Sequence, residues 1–432
     1  MKFHIQTFGC QMNVYDGQRI ASMLTGMCWT PTEELTDADL IILNTCSVRE
    51  KATNKVFSAL GRIRRAKKPG ALFGIVGCVA RESGADAFLR IPELNFVLGP
   101  QSYHKLPDIL ENPESKLLNI DLGGLEKFDE LPRMETSPTI AYIPIQEGCN
   151  HNCTYCIVPY TRGREISRPF GDVIRDAAHA AKTGAVEICF LGQNVNGYRY
   201  MDDSGKRYNL ADLIRAAAKL DAVKRIRFTS SYPTEMTFDL IELFKTEPKL
   251  LPFLNMPVQS GSPDILAAMN RPYSIELYMD IVDRLRAARP DIRISSDFIV
   301  GFPGETDADF AQTMEIARRV GYINSYSFKY SPRPHTAAIG MKNQIPENIK
   351  KQRLKILDDY LNEVQREFNE SFVGKTVACL LEGPDKSGDN LLCRTPHMQQ
   401  CIVSRPDFEI GAMVDVKITG ANKSCLRGEI VA

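Results

Sequence analysis

No run of about eighteen consecutive apolar residues occurs in the chain, which excludes a membrane-spanning helix of ordinary length. The opening residues, MKFHIQTFGC, alternate like a strand and lack the apolar core of a secretory leader. A surplus of charge is missing as well. Lys plus Arg and Asp plus Glu both number 53, so net charge supplies no argument for a polyanionic partner. Disorder-prone composition is also absent: 44% of the 432 residues are hydrophobic and 25% charged, as in globular chains of about two to four domains. Together these absences point to a cytoplasmic protein without a membrane anchor. Cysteine, by contrast, is plentiful at twelve residues. A reducing compartment disfavours a disulfide framework, so clustered cysteines are read as metal ligands.

Over residues 1–118, short apolar runs alternate with helical patterns. FHIQTF precedes Cys10, DLIILNT precedes Cys46, and ALFGIVG precedes Cys78; DGQRIASMLTGM and REKATNKVFSALGRIRR are amphipathic stretches between them. The order βαβαβ predicts a parallel sheet with right-handed crossovers. The carboxyl ends of such strands share one edge, where ligands bind, so three cysteines remote in sequence are expected to meet there. A single cysteine past a strand is ordinarily a core thiol. Three at equivalent positions argue for a shared metal site.

Residues 113–138 are rich in Pro, Glu and Ser and read as a linker, clearest at LPRMETSP. A second βα series covers residues 135–368, with strand candidates IAYIPIQ, VEICFLG, RIRFTSS, FLNMPVQ, RISSDFIVG and SYSFKYS. Six repeats suggest a partial (β/α)6 barrel, although periodicity does not decide closure. Residues 371–432 change to short strands separated by Gly, Asp and Asn turns, the pattern of a small all-β barrel. Its basic and acidic residues balance, so charge does not mark it as an RNA binder.

The loop after the first barrel strand reads CNHNCTYC and holds Cys149, Cys153 and Cys156. Tetrahedral zinc takes four ligands in structural sites, and this CxxxCxxC set has no fourth Cys or closely following His at finger spacing. A cubane iron-sulfur cluster on three thiolates leaves one iron free for a small molecule. His151, inside the loop, would have to fold back over the cluster to take that place. Tyr155 is expected to shield the site.

CxxxCxxC with an aromatic before the last cysteine, opening a (β/α) barrel, resembles the radical S-adenosylmethionine (SAM) enzymes. The resemblance implies that the amino and carboxylate groups of SAM bind the free iron, and that an electron from the cluster cleaves SAM to a radical that abstracts hydrogen from carbon. TFGCQMNVYD, ILNTCSVREKA, IVGCVAR and EGCNHNCTYCIVPYTRGREISRP, with a terminal barrel similar to a TRAM domain, extend the likeness over nearly the whole chain, to the methylthiotransferases. It implies a second 4Fe-4S cluster on Cys10, Cys46 and Cys78, also with an open iron. CIVPYTRGREISRP and LGQNVNGY resemble the MiaB-type tRNA enzymes more than the relatives that act on threonylcarbamoyladenosine or on a ribosomal protein. The implied reaction is methylthiolation at C2 of N6-isopentenyladenosine at position 37 of tRNA. Implied partners are the tRNA anticodon stem-loop, an electron-donor protein and a sulfur donor, with the enzyme acting as a monomer. A non-catalytic iron-sulfur RNA-binding sensor is the alternative from another class.

Other candidates follow from position. Eight basic residues lie between Arg49 and Lys68 against one acid, among them Arg62, Arg64 and Arg65 on a helix after Cys46; they are candidate phosphate contacts. Arg162 and Arg164 are similar candidates, either for RNA phosphate or as partners of nearby acids. By resemblance Gln193, Ser296, Asp297 and Glu305 surround SAM, and Gln259 and Ser260 line the substrate cavity. Cys28, Cys189, Cys379, Cys393, Cys401 and Cys425 are read as structural thiols. RTPHMQQCIVS, in the terminal barrel, departs from the more basic strand of tRNA-modifying relatives.

Overall fold

The computed structural model describes residues 1–47, 50–385, 388–404 and 408–431, and for residues 50–55 the backbone alone. Arg49, and the side chains of Lys51 and Lys55, therefore lie outside the described residues. The three N-terminal apolar runs are strands Lys2–Thr7, Leu40–Thr45 and Leu72–Gly77. They pair in parallel, with Phe3 opposite Leu40 and Leu40 opposite Leu72. The middle strand is buried along its length because helices cover both faces. Helix Gln11–Gly26 sets Ile20, Met23 and Leu24 against Leu40 and Ile42; helix Glu50–Ala66 sets Val56, Ala59, Leu60 and Ile63 against Ile41 and Leu43. The alternation of a strand residue by residue thus assigns each helix its own face.

The sheet has six strands, more than the apolar runs indicate: Phe96–Leu98 and Leu117–Asn119 extend one edge and Thr30–Pro31 the other. Segments this short show no usable periodicity. Part of the expected linker is therefore structured. Besides strand Leu117–Asn119 it contains helix Glu126–Glu130, whose Lys127 is only 2% exposed. Lysine is almost never fully buried without a partner, and its partners prove to tie two domains together.

All six strands of the second series form: Ile140–Pro144, Glu187–Leu191, Arg225–Phe228, Phe253–Asn255, a strand broken at Ser296 (Arg293–Ser295 and Asp297–Val300) and Tyr326–Lys329. Their ladders are parallel, and parallel bridges at Ile226–Leu250 and Gln259–Phe298 carry the sheet from one set to the next. Among the described residues no ladder joins the sixth strand to the first, so this barrel is open. The N-terminal domain lies against it there. Met12, from helix Gln11–Gly26, packs with Ile140, Tyr142, Cys189 and Leu191, on the faces of the first two strands that turn away from their own helices.

The 24-residue helix Glu347–Glu370 leads to a closed five-stranded barrel of Thr376–Pro384, Asn390–Arg394, Gln400–Ser404, Met413–Ala421 and Leu426–Ile430. Cys379, Cys393 and Cys401 are part of its core. Its RTPHMQQ segment docks on the end of the larger barrel where the strands begin. Arg225 donates from Nη1 to the Arg394 carbonyl at 2.7 Å and from Nη2 to the Thr395 carbonyl at 3.1 Å. Asn324 donates to the His397 carbonyl at 3.2 Å, and His397 Nε2 donates to the Asp291 carbonyl at 2.9 Å. The departure noted in this segment thus has a structural use: the loop serves protein-protein docking on the side opposite the strand ends that carry the cysteines.

Candidate cluster sites and their setting

Cys10 caps the start of helix Gln11–Gly26, Cys46 follows strand Leu40–Thr45 directly, and Cys78 opens helix Cys78–Ser83. The Cys10 and Cys46 side chains are in hydrogen-bond contact, and Cys78 lies close enough to Cys10 to feel its charge. Three adjacent strands have therefore delivered the three sulfurs to one place. Cys46 and Cys78 are buried, whereas Cys10 is exposed as a residue although its thiol turns inward. The approach depends on glycine: a Cβ on Gly9, at φ +147°, would meet the Cys46 Cβ at 2.5 Å. Two asparagines lock the loops. Asn13 donates to Asn44 Oδ1 at 2.9 Å and to the Thr45 carbonyl at 3.0 Å, and Asn44 donates back to the Asn13 carbonyl at 2.6 Å.

The Cys10 thiol is drawn down to about 6, chiefly by its contact with Cys46, with burial opposing and Arg162 and the N–H groups of Asn13 and Met12 assisting. Burial pushes Cys78 the other way, against the pull of Arg162. Arg162 is thus a neighbour of the trio, its charge acting on both Cys10 and Cys78. It is 3% exposed, with Nη1 donating to both carboxylate oxygens of Glu147 at 3.1 and 2.9 Å and Nη2 3.6 Å from Asp16. Among the described residues Nη2 has no hydrogen-bond partner. Of the two roles open to Arg162 in the sequence, partner of acids is the one the fold adopts; burial removes it from any RNA phosphate. Lys127 completes the group, pairing with Asp16 at 3.2 Å and with Glu147, while Tyr103 donates to Asp16 at 3.1 Å. Two acids and two bases, all buried, thereby join the N-terminal sheet, the linker and the barrel.

The second trio sits in the loop after strand Ile140–Pro144. Gly148 has φ +75°, and a Cβ there would stand 2.1 Å from the Arg164 carbonyl oxygen, so the residue before Cys149 has to be glycine. Gln193 accepts the Gly148 N–H at 2.6 Å and Gly163 accepts that of Cys149 at 3.2 Å. Farther along, the Met269 carbonyl accepts from Thr154 N at 3.1 Å and Thr154 accepts from Ala338 N at 2.8 Å. Burial pushes the Cys149 thiol up to about 12 and that of Cys156 to about 11. A buried arginine faces this trio too: Arg271 Nη1 lies 3.9 Å from Cys153 Sγ and 3.4 Å from the Tyr155 hydroxyl. Tyr155 itself packs under the loop beside Phe302. His151 is turned elsewhere, stacked on Tyr232 with centroids 3.7 Å apart and bonded through Nε2 to Glu235 at 2.9 Å.

Among the described residues no group of three His, Cys, Asp or Glu side chains is placed to hold a single ion. The donor sets do fit thiolate-held clusters. Each trio has one buried guanidinium against it, and at the first that guanidinium keeps an N–H unpartnered; a cation so placed offsets the negative charge of a cluster and its thiolates. The helix Val158–Arg162 and the glycine after it lie between the two sites, contributing Arg162 to one and the Gly163 carbonyl to the other. Asn13, Asn44, Lys127 and Arg271 left no local signal in the sequence. Arg271 and Cys153 are separated by 118 residues, and Lys127 and Asp16 by 111.

The remaining candidates divide by burial. Glu305 is committed to structure: its Oε2 accepts the Gly301 N–H at 2.6 Å and Arg353 Nη1 at 2.7 Å, and the side chain is 2% exposed. The carboxylate anchors helix Glu347–Glu370 to the barrel. Ser260 is fully buried, 3.3 Å from Thr313 Oγ1 and accepting the Ser262 N–H at 3.2 Å. Ser296 is buried and accepts the Val258 N–H at 3.0 Å at the break in its strand. Gln259, at φ +70°, bridges to the same strand through its backbone. Asp297 is partly exposed, its carbonyl accepting from Gln259 N at 3.0 Å. Arg62, Arg64, Arg65 and Arg164 are exposed, with Arg64 3.7 Å from Glu93. Cys189, Cys379, Cys393 and Cys401 are buried, Cys425 is partly so, and Cys28 is exposed.

Family models match three parts of the chain: the radical SAM superfamily at residues 143–317, uncharacterized protein family UPF0004 at 2–99, and the TRAM domain at 370–431. Among solved structures, the chain resembles a radical SAM methyltransferase, TsrM, from Kitasatospora setae, with TM-score 0.57 at 12% identity over 78% of this chain and 77% of that one. It also resembles the cobalamin-dependent radical SAM enzyme OxsB, with TM-score 0.52 at 11% identity over 83% of this chain and 56% of that one. At such identities these two likenesses speak for the fold. Fold and family models together define a radical SAM enzyme flanked by a UPF0004 domain and a TRAM domain. Curated relatives narrow this further. A tRNA-2-methylthio-N(6)-dimethylallyladenosine synthase of Rickettsia rickettsii (strain Sheila Smith) is 47% identical, covering 100% of this chain and 99% of its own. One from Sphingopyxis alaskensis is also 47% identical, covering 99% of this chain and 97% of its own. The chain belongs to the family of tRNA-2-methylthio-N(6)-dimethylallyladenosine synthases.

Proposed function

We propose that this chain adds a methylthio group to C2 of N6-isopentenyladenosine (N6-dimethylallyladenosine) at position 37 of tRNA, in the cytoplasm, with the anticodon stem-loop as its substrate. The observation that carries this reading is full-length relatedness at 47% identity to synthases of that name, in a chain whose fold brings Cys10, Cys46 and Cys78 together beside the CxxxCxxC loop. Cys149, Cys153 and Cys156 hold one 4Fe-4S cluster and Cys10, Cys46 and Cys78 a second. When bound, the first supplies an electron to SAM and the second presents sulfur to the substrate. The electron-donor protein and the sulfur source come from outside the chain.

The protein's own part is positioning and charge. Gly148 and Gln193 fix the start of the cluster loop, and Arg271 and Arg162 offset charge at the two sites from buried positions. Gln193, which bonds the cluster loop at Gly148, and Ser296, Asp297 and Glu305, along and after the fifth barrel strand, are the proposed SAM neighbours. Exposed Arg62, Arg64, Arg65 and Arg164 are the proposed phosphate contacts. An anticodon-loop adenine is already unpaired, which lowers the cost of extracting it.

The test is mass spectrometry of tRNA nucleosides from a strain lacking the gene, complemented with the wild-type chain, Cys149→Ala or Cys46→Ala. Methylthio-isopentenyladenosine should return with the wild type alone. Loss of methylthiolation from threonylcarbamoyladenosine or from a ribosomal protein instead would overturn the assignment. Absence of 5'-deoxyadenosine from an anaerobic reaction with reductant and SAM would point to the sensor.

A further inference from the structure

Between the two trios, one exposed aromatic arrangement is left unused by this mechanism. Tyr160, four residues beyond Cys156, carries His335 stacked on its ring, with centroids 3.8 Å apart and planes 7° from parallel. Arg81, three residues beyond Cys78, places its guanidinium carbon 5.2 Å from the same ring and donates from Nε to the Tyr160 carbonyl at 3.4 Å. Three parts of the chain meet here: the helix that begins at Cys78, the helix that follows the CxxxCxxC loop, and the loop beyond the sixth barrel strand. The last is pinned to the cluster loop through the bond from Ala338 N to the Thr154 carbonyl, 2.8 Å. His335 is exposed and Tyr160 partly so.

The backbone at His335 is unusual for that residue. Thr336 donates from N and from Oγ1 to the Arg333 carbonyl at 3.4 and 2.7 Å, closing a turn with Pro334 in second place and His335 in third. His335 has φ +62°, the conformation for which such a turn ordinarily takes glycine. A strained, exposed side chain lying flat on an aromatic ring points from its conformation to a use for its outer face. Positive charge gathers here: Arg333 and Arg90 act on the Glu82 carboxylate, and the Arg81 guanidinium lies over the Tyr160 ring.

We propose that the outer face of His335 is a stacking platform for an unpaired base of the RNA substrate, adjacent to the nucleotide being modified. The chemistry recognised is the π-face of a single-stranded nucleobase, which stacking accepts without regard to sequence. Arg81 and Arg90, both reaching solvent, supply the positive charge that draws in the flanking phosphates. The proposal rests on the tRNA reading and extends it to a named contact.

The experiment compares the holoenzyme with His335→Gly and His335→Phe, at one fixed salt concentration. The RNA is an anticodon stem-loop carrying 2-aminopurine next to the target adenosine, with an unrelated hairpin as control. Stacking predicts quenched 2-aminopurine fluorescence in the wild-type complex, a Kd weakened roughly 5- to 100-fold in His335→Gly, and near wild-type affinity in His335→Phe. Glycine suits the turn, so thermal melting reports separately whether any loss of binding comes from the fold. Equal affinity of His335→Gly and wild type, or an unquenched probe, overturns the platform while leaving the tRNA reading in place. A wild-type enzyme that does not prefer the stem-loop over the unrelated hairpin overturns both.

Discussion

Replacing Arg162 with methionine is the sharpest test of how the N-terminal domain is held to the barrel. Arg162 pairs with Glu147 at 2.9 Å and Asp16 at 3.6 Å, in a group whose other cation is Lys127, and each of these side chains is at most 4% exposed. Methionine preserves most of the volume but leaves two carboxylates to share one ammonium. Removing one partner of a buried pair costs about 3–5 kcal/mol, because the charge left behind is neither solvated nor compensated. By contrast, the exposed Arg366–Glu363 pair lies on a helix surface, where such pairs are worth about 0–1 kcal/mol. For a unit of this size, 3–5 kcal/mol corresponds to a drop of roughly 6–20 °C in the transition that separates the domains. Differential scanning calorimetry on the anaerobically prepared enzyme measures it, and hydrogen exchange over residues 99–105 and 158–163 locates the opening. Adding Asp16→Asn should then recover part of the loss, since it removes the surplus negative charge. A loss below about 1 kcal/mol for Arg162→Met, or a double variant no more stable than the single, would refute the reasoning.

Four further outcomes follow from the same structure. Gly148→Ala places a methyl 2.1 Å from a backbone oxygen at φ +75°, so the iron content of the CxxxCxxC site should fall by at least half in iron and sulfide analysis, while that of the other trio persists. Arg225→Ala removes two donors to the docking loop of the terminal barrel, and limited proteolysis should cut after helix Glu347–Glu370 several times faster than in the wild type. Burial would raise the carboxyl of Asp176, but Arg168 and Arg133 outweigh it and hold the group below its ordinary 3.8. A depressed folded-state pKa stabilises above the unfolded value and loses that contribution as pH falls through the folded one. Urea midpoints of the cluster-free chain should therefore exceed those of Asp176→Asn at neutral pH, with the gap closing below about pH 4. Cys46→Ala should retain 5'-deoxyadenosine formation yet yield no methylthiolated RNA, whereas Cys149→Ala should abolish both; identical losses in the two variants would contradict separate roles.

Much of the architecture follows from local patterns, because period-2 alternation and helical amphipathicity are properties of short windows. All six barrel strands and the five of the terminal barrel stand where those patterns lie. Strands of two or three residues, such as Thr30–Pro31 and Leu117–Asn119, fall below that resolution and exist because a neighbouring strand edge accepts them. Charged residues carry the least local signal of their partners. Glu305 and Arg162 carry the same formal charge whether they face a ligand, solvent or each other's kind, and their true partners lie 48 residues away in Arg353 and 15 away in Glu147.

By itself, the sequence determined the identity of the sulfur ligands on offer, the order of strands that carries three of them, and the eight-residue spacing that confines the other three. These are local in the chain, and covalent connectivity enforces them. Only the tertiary structure decided which arginine faces each trio, that Lys127 in an apparent linker is a buried tie, that the terminal barrel docks on the end away from the cysteines, and that His335 lies over Tyr160. Each of those depends on desolvating a charge or a ring against a partner supplied by a distant segment, and such a contact has no energy until the chain has folded.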